Sequence, residues 1–213
     1  MISPDNRQKS MEAERKIIIS IETAFGGSVS VLDHGNEIDF DRSENRKAFG
    51  AEELLARISN VLKRNRIRRE QIGAICISKG AASHTTEKIG LAISKGLSRA
   101  YGCQLIEVPI LEALLLNVKD DFRGRVLVAV STGANRVFWQ SKEKNGTFFY
   151  DLENPSTSAV TEFQMTWNSD NYDLLILLST DAGSFLSDKK PRIHIKPDGI
   201  AELIGRTAIN LRV

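Results

Sequence analysis

The chain has 213 residues, 41% of them hydrophobic, and its 29 Lys and Arg nearly balance its 27 Asp and Glu, for a formal net charge of +2. That is enough apolar material for one large or two small domains, and too little net charge to argue globally for a nucleic-acid or membrane-surface partner. No apolar run approaches membrane-spanning length and residues 1–15 lack the apolar core of a signal peptide, so a cytoplasmic location is expected.

In chain order, residues 1–15 form a polar tail with little to bury. Residues 16–21 are a β-branched run, 28–32 alternate with period two, and 37–40 follow a turn at Asp33, His34, Gly35 and Asn36, which together predict a three-stranded antiparallel meander. Residues 50–66 carry the stripe Ala51, Leu54, Leu55, Ile58, Val61 and Leu62 of an amphipathic helix, with Glu52 and Glu53 in its first turn and Lys63, Arg64 and Arg66 in its last. A strand over 72–77 then passes through Lys79, Gly80, Ala81 and Ala82 into a second helix. Ser83 to Thr86 supply its caps, Ile89, Ala92, Ile93, Leu97 and Ala100 one apolar face, and Gly102 its stop. A short strand over 105–108 and a helix over 111–117 complete the first half.

The second half begins the same order again. Residues 126–130, 136–140 and 147–150 repeat the meander, with Asn145-Gly146 at the second turn. A helix over 156–167 and a strand over 174–179 follow, then a short strand over 193–195 and a weak amphipathic helix over 197–210. The expected fold is therefore α/β with duplicated βββαβα lobes, the first over 16–120 and a reduced second over 125–213. This is the architecture of the actin-like, Hsp70-like and sugar-kinase-like ATPases, an analogy of fold that does not establish function.

Phosphoryl transfer in such a fold needs glycines and hydroxyls at the phosphates and carboxylates for the metal. The first hairpin here reads Glu22-Thr23-Ala24-Phe25-Gly26-Gly27-Ser28, and the second reads Ser131-Thr132-Gly133-Ala134-Asn135. A serine hydroxyl at Ser131 does not replace an anionic ligand for Mg²⁺, so a phosphotransferase is the alternative reading and no catalytic residue, cofactor or metal is assigned. The strand–glycine–helix turn at Gly80 could hold an anion at the helix N-terminus or be a tight connection without a ligand. His34, His84 and His194 share no metal-binding spacing, and Cys76 and Cys103 belong to no CxxC pair. The basic run Lys63, Arg64, Arg66, Arg68 and Arg69 is short and has no aromatic residues between its charges, which favours a solvated helix end over an RNA site.

The segments IIISIETAFGGSVSVL, SKGAASHTTEKIGLAISKGL, VPILEALLLN and VLVAVSTGANRVFW together resemble the TsaB (YeaZ-like) family, partner subunits in tRNA threonylcarbamoyladenosine biosynthesis. The resemblance covers residues 16–140. At the family's glycine-rich signature turn Gly80, Ser83, Thr85, Ile89, Gly90, Lys95 and Gly96 match and Lys88 replaces an arginine, while Ala81, Ala82, His84, Thr86 and Glu87 depart from it. Leu111-Glu112-Ala113-Leu114 also matches, and Glu22 and Ser131 stand where members usually carry aspartates. The resemblance implies a divergent, non-catalytic scaffold with a vestigial nucleotide cleft at Glu22, Thr23, Ser131 and Gly133. It would pair with a TsaD-like paralogue, or with itself, through first-lobe helices, and would serve tRNA only indirectly. The surface expected to do so is Ala51, Leu54, Leu55, Ile58, Leu62, Ile89, Ala92 and Ile93.

Overall fold

The computed structural model describes residues 16–42, 49–131, 135–169, 171–180, 186 and 191–211. The polar tail and Gly133 lie outside the described residues. The chain divides into two compact units, residues 1–108 with 200–213, and residues 109–199.

In the first unit the strands β1 (Ile17–Ile21), β2 (Val29–Asp33), β3 (Asn36–Asp41), β4 (Ile72–Lys79) and β5 (Gln104–Pro109) lie in the order β3-β2-β1-β4-β5. The meander is antiparallel and β1 pairs parallel with β4. Every residue of β1 is buried, because helices cover both faces of the sheet and such a strand has no solvent side to fill with polar residues. On one face, Ile17, Ile19 and Ile21 join Val29, Val31, Ile72 and Ile75 in a core capped by Leu54, Ile58 and Val61 of α1 (Ala51–Arg64). Helix α2 (His84–Tyr101) packs beside α1 and against β4. The β2–β3 turn is a two-residue hairpin with positive φ at His34 (49°) and Gly35 (82°), the conformation that matches strand twist.

The second unit repeats this plan. Strands β6 (Gly124–Ser131), β7 (Arg136–Asn145), β8 (Phe148–Asp151), β10 (Leu174–Ser179) and β11 (Arg192–Ile195) give the order β11-β10-β6-β7-β8, and β9 (Ser156–Ala159) pairs with β7. Read from β8, that order is the first sheet's order strand for strand, which establishes the duplication. Phe163 and Trp167 of α4 (Val160–Asn168) pack on Leu127, Ala129, Val137, Trp139, Leu175 and Leu177.

Three expectations are corrected. Residues 156–159 are a strand rather than the start of a helix: Ser156-Thr157-Ser158-Ala159 has no apolar helical face, and its backbone pairs with Arg136 to Trp139 of β7. The lobes are not the contiguous blocks 16–120 and 125–213. Helix α3 (Ile110–Leu114) belongs to the second unit, where it packs on β6 and turns Glu112 to the buried Lys142 ammonium, which also meets Asp151. Helix α5 (Ile200–Asn210) belongs to the first unit and covers β1, β2 and β4 with Ile200, Ile204 and Ala208. Finally, the buried face of α2 is Thr86, Gly90, Ser94 and Ser98. Ile89, Ile93 and Leu97 are only partly buried against the core, and Ala92 and Ala100 are exposed.

At Gly205 α5 lies close against the sheet: a β-carbon there would lie 2.6 Å from Leu32 Cδ1 and 3.2 Å from Ser20 Cβ. Gly205→Val is expected to lower unfolding free energy by about 1–3 kcal/mol, as overpacking of a filled interface does. Urea unfolding of the two proteins side by side measures this.

Candidate functional site

The turn after β1 is closed by its own chain. Glu22 is wholly buried; its carboxylate accepts hydrogen bonds from the Phe25 N–H at 2.6 Å and from the Ser28 hydroxyl at 3.3 Å, while its own N–H donates to Ser28 O at 2.9 Å. Burial pushes the Glu22 carboxyl above its ordinary value, and hydrogen bonds from the turn's backbone and Ser28 oppose that shift. Gly27 has φ +75°, and a β-carbon on it would meet the Phe49 ring at 2.6 Å. The buried Arg57 of α1 donates to Gly27 O at 3.2 Å and pairs with Glu53 one helical turn earlier. A turn that wraps phosphates needs such groups free. Here its carboxylate, its carbonyl and its space are all engaged.

Thr23 ties the turn to β4: its N–H donates to Ser78 Oγ at 3.0 Å and the two hydroxyls lie 3.1 Å apart. Thr23 also meets Gly90 of α2, where a β-carbon would lie 2.5 Å from Thr23 Cγ2 and 2.9 Å from Ile77 Cδ1. The glycine of the signature turn's helix is thus a packing requirement.

The connection from β4 to α2 is likewise satisfied internally. Gly80 and Ala81 both have positive φ, 87° and 63°, a strained geometry for alanine. Ser83 is the N-cap, its Oγ accepting from the Thr86 N–H at 3.2 Å. The Glu87 carboxylate reaches back to the Gly80 N–H at 3.1 Å. A side-chain anion already occupies part of the place an external anion would take, and its charge opposes a second one. Thr85 and Lys88 are exposed. In the second unit, Ser131 ends β6 between Val137 and Ser179.

Among the described residues no three His, Cys, Asp or Glu side chains converge as a metal site. His34 lies 3.8 Å from Asp33, and His194 Nε2 lies 3.1 Å from Ser179 Oγ. Within the basic run, Arg64 pairs with Asp39 at 3.0 Å and Asp41 at 3.6 Å, and Arg69 pairs with Glu70 at 2.8 Å. No helix among the described residues is long and apolar enough to cross a membrane.

Of the surface expected at the helices, Leu54 and Ile58 are buried in the unit's own core, Ile58 reaching only the lining of the groove between α1 and α2. Ala51, Leu55 and Ala92 are exposed, and Leu62, Ile89 and Ile93 partly so. The sequence reading missed a groove of about 430 Å³ between α1 and α2, lined by Leu55, Ser59, Leu62, Leu97 and Tyr101 with Lys63 and Arg66 at its rim. The partly exposed apolar residues beyond each helix's core stripe are the signal that could have found it.

Two sheets of matching strand order, each reached through a hairpin whose turn leads into parallel pairing, define the duplicated-lobe class of actin-like, Hsp70-like and sugar-kinase-like folds. Residues 50–166, more than half of the chain, match TsaD, tRNA N6-adenosine threonylcarbamoyltransferase, and the chain belongs to that family. Its fold is similar to YeaZ from Pseudomonas aeruginosa, at TM-score 0.63 and 14% identity over 92% of both chains. A Pseudomonas aeruginosa protein described as uncharacterized with similarity to peptidase YEAZ gives TM-score 0.62 at 15% identity, again over 92% of both. The inorganic polyphosphate/ATP-glucomannokinase from Arthrobacter sp. strain KM gives 0.58 at 13% identity, over 92% of this chain and 99% of that one. No curated protein matches.

Because the folded state holds the Glu22 proton more tightly than the unfolded chain does, this residue's contribution to stability is fully present below pH 4.5 and falls as pH rises through the raised value. Glu22→Gln, neutral throughout, is therefore expected to gain stability relative to the parent as pH rises above 4.5. Urea unfolding over a pH series gives the difference directly. Gly90→Ala is expected to destabilise at every pH by about 1–3 kcal/mol through its clash with Thr23, measurable in the same series.

Proposed function

We propose that this chain is a non-catalytic subunit that supports a TsaD-like catalytic protein in tRNA threonylcarbamoyladenosine modification. The observation that carries the proposal is the closure of the turn after β1, where Glu22 is enclosed by its own chain and Arg57 and Phe49 fill the space beside Gly27. A phosphate-handling loop requires free N–H groups and a carboxylate open to a metal, and here the Phe25 N–H and the buried Glu22 carboxylate are bonded to each other. What the first unit does offer to solvent is aliphatic surface on α1 and α2, with Leu55 43% exposed beside the groove. The partner would be held there, on Leu55, Leu62, Ile89 and Ile93 with Ala51 and Ala92 at the edge, and tRNA would be engaged through the partner.

Titration with a purified TsaD-like protein from the same cell is expected to give a stoichiometric complex. The double substitution Leu55→Glu, Leu62→Glu is expected to weaken it by at least about tenfold, since buried anchors dominate such contacts. Calorimetry with Mg-ATP on the isolated chain is expected to show no binding heat; a stoichiometric heat would replace this reading with the phosphotransferase one.

A further inference from the structure

Strand β8 ends the second sheet and, among the described residues, pairs only with β7. Leu152 carries the ladder one step further, its N–H donating to Ser141 O at 3.1 Å. In an antiparallel pair such bonds fall on every second residue. Phe148 and Tyr150 therefore bond inward, and Phe149 and Asp151 turn their N–H and C=O groups away from the sheet. The same alternation sets the side chains of Phe148, Tyr150 and Leu152 on one face, where they are 67%, 55% and 44% exposed.

A bare sheet edge is ordinarily blunted by charge, proline or a covering group, and the other edge strands follow that rule. Along β3, Glu37, Asp39 and Asp41 recur and Arg64 donates to Phe40 O at 2.8 Å. Strand β5 carries Glu107 and ends at Pro109, and β11 alternates Arg192 and His194 with isoleucine. Strand β8 instead reads Phe-Phe-Tyr-Asp, and its single charge is joined to the Lys142 ammonium. Outward backbone groups beside an apolar row are what an added strand uses: the backbone supplies affinity and the alternate side chains specificity.

Charge decides which strand fits. Glu143 lies directly across from Tyr150, and Glu153 follows Leu152. Both are exposed, and no cation among the described residues pairs with either. The Asp151 side chain is also open to solvent, whereas Lys142 and Lys144 are buried. The edge is thus apolar with an acidic rim. Nucleic acid and anionic lipid are repelled by such a rim, and a second copy of the chain would bring the same acids to it.

We propose that β8 is a docking edge for an extended segment of another protein in which apolar residues alternate with lysine or arginine. The segment adds a strand along Phe149 and Asp151, lays its apolar side chains beside Phe148, Tyr150 and Leu152, and brings its cations to the acidic rim. This edge belongs to the second unit and does not rest on the functional reading above.

Fluorescence anisotropy of the full chain with a dye-labelled peptide of four Val-Lys repeats tests the proposal. Saturable binding is expected in the micromolar range, as for other small interfaces, and a Val-Glu repeat is expected to bind at least about tenfold more weakly. An added strand turns only alternate N–H groups toward the sheet. N-methylation of all the lysines or of all the valines is therefore expected to abolish binding in one case and spare it in the other. The double substitution Phe148→Ser, Tyr150→Ser is expected to weaken binding at least about tenfold while urea unfolding stays close to the parent, since both side chains are exposed. Glu143→Lys with Glu153→Lys is expected to reverse the preference between the two repeats. Leu55→Glu with Leu62→Glu is expected to change nothing, which separates this edge from the surface assigned to the TsaD-like protein. No saturation, equal effects of the two N-methylations, or a preference that survives the charge reversal would overturn the proposal. So would self-association in sedimentation velocity that Tyr150→Lys abolishes, because the occupant would then be a second copy.

Discussion

Burial of the Glu22 carboxylate beneath the turn after β1 is the constraint around which the first unit is arranged. A carboxyl group removed from water must be given hydrogen bonds, and the chain provides them from Phe25 and Ser28. To do so it must fold the turn back on itself, which forces Gly27 into a positive φ and brings Phe49 and Arg57 over it. Thr23 then ties the turn to Ser78, and Gly90 lets α2 settle on Thr23. The positions of α1 and α2 therefore follow from the same turn. A loop built this way is a structural fastening, and its cost to any ligand is the loss of the groups a phosphate would need.

The second unit shows a different solution to a similar problem. The Lys142 side chain is 3% exposed and lies between Glu112 and Asp151, while Lys144 donates to Lys119 O at 2.5 Å and lies 5.5 Å from the Phe149 ring. Lys142 of β7 thus ties α3 to the sheet and to the neighbouring strand β8, and Trp139 and Val137 pack against α4. The Glu112 and Asp151 side chains are 37% and 62% exposed, so the two carboxylates bring charge to the buried ammonium without leaving water themselves.

Most of the fold was legible because its signals are local. The β-branched run at Ile17, the His34-Gly35 turn, the caps at Ser83 and Gly102 and the return of the same order after Gly124 all lie within a few residues of the structure they specify. The misses are long-range. Nothing near Ser156 announces that its backbone will pair with Trp139. The stripe Ile89, Ala92, Ile93 and Leu97 is a sound helical pattern, yet the sheet admits only small groups, so Gly90 and Ser94 face it instead. At the site, Glu22 and Glu87 bond to groups within seven residues of themselves, but the closure of the first turn also depends on Arg57, thirty positions from Gly27.

The exchange of helices between the repeats has a bearing on how the polypeptide is made. Helix α5 supplies the cover for the face of the first sheet that carries Ser20 and Leu32, yet it is translated only after the whole of the second unit. While the nascent chain is still growing, that face stays wet and apolar, open to chaperones or to wrong neighbours. The earliest-made half of the protein is sealed last.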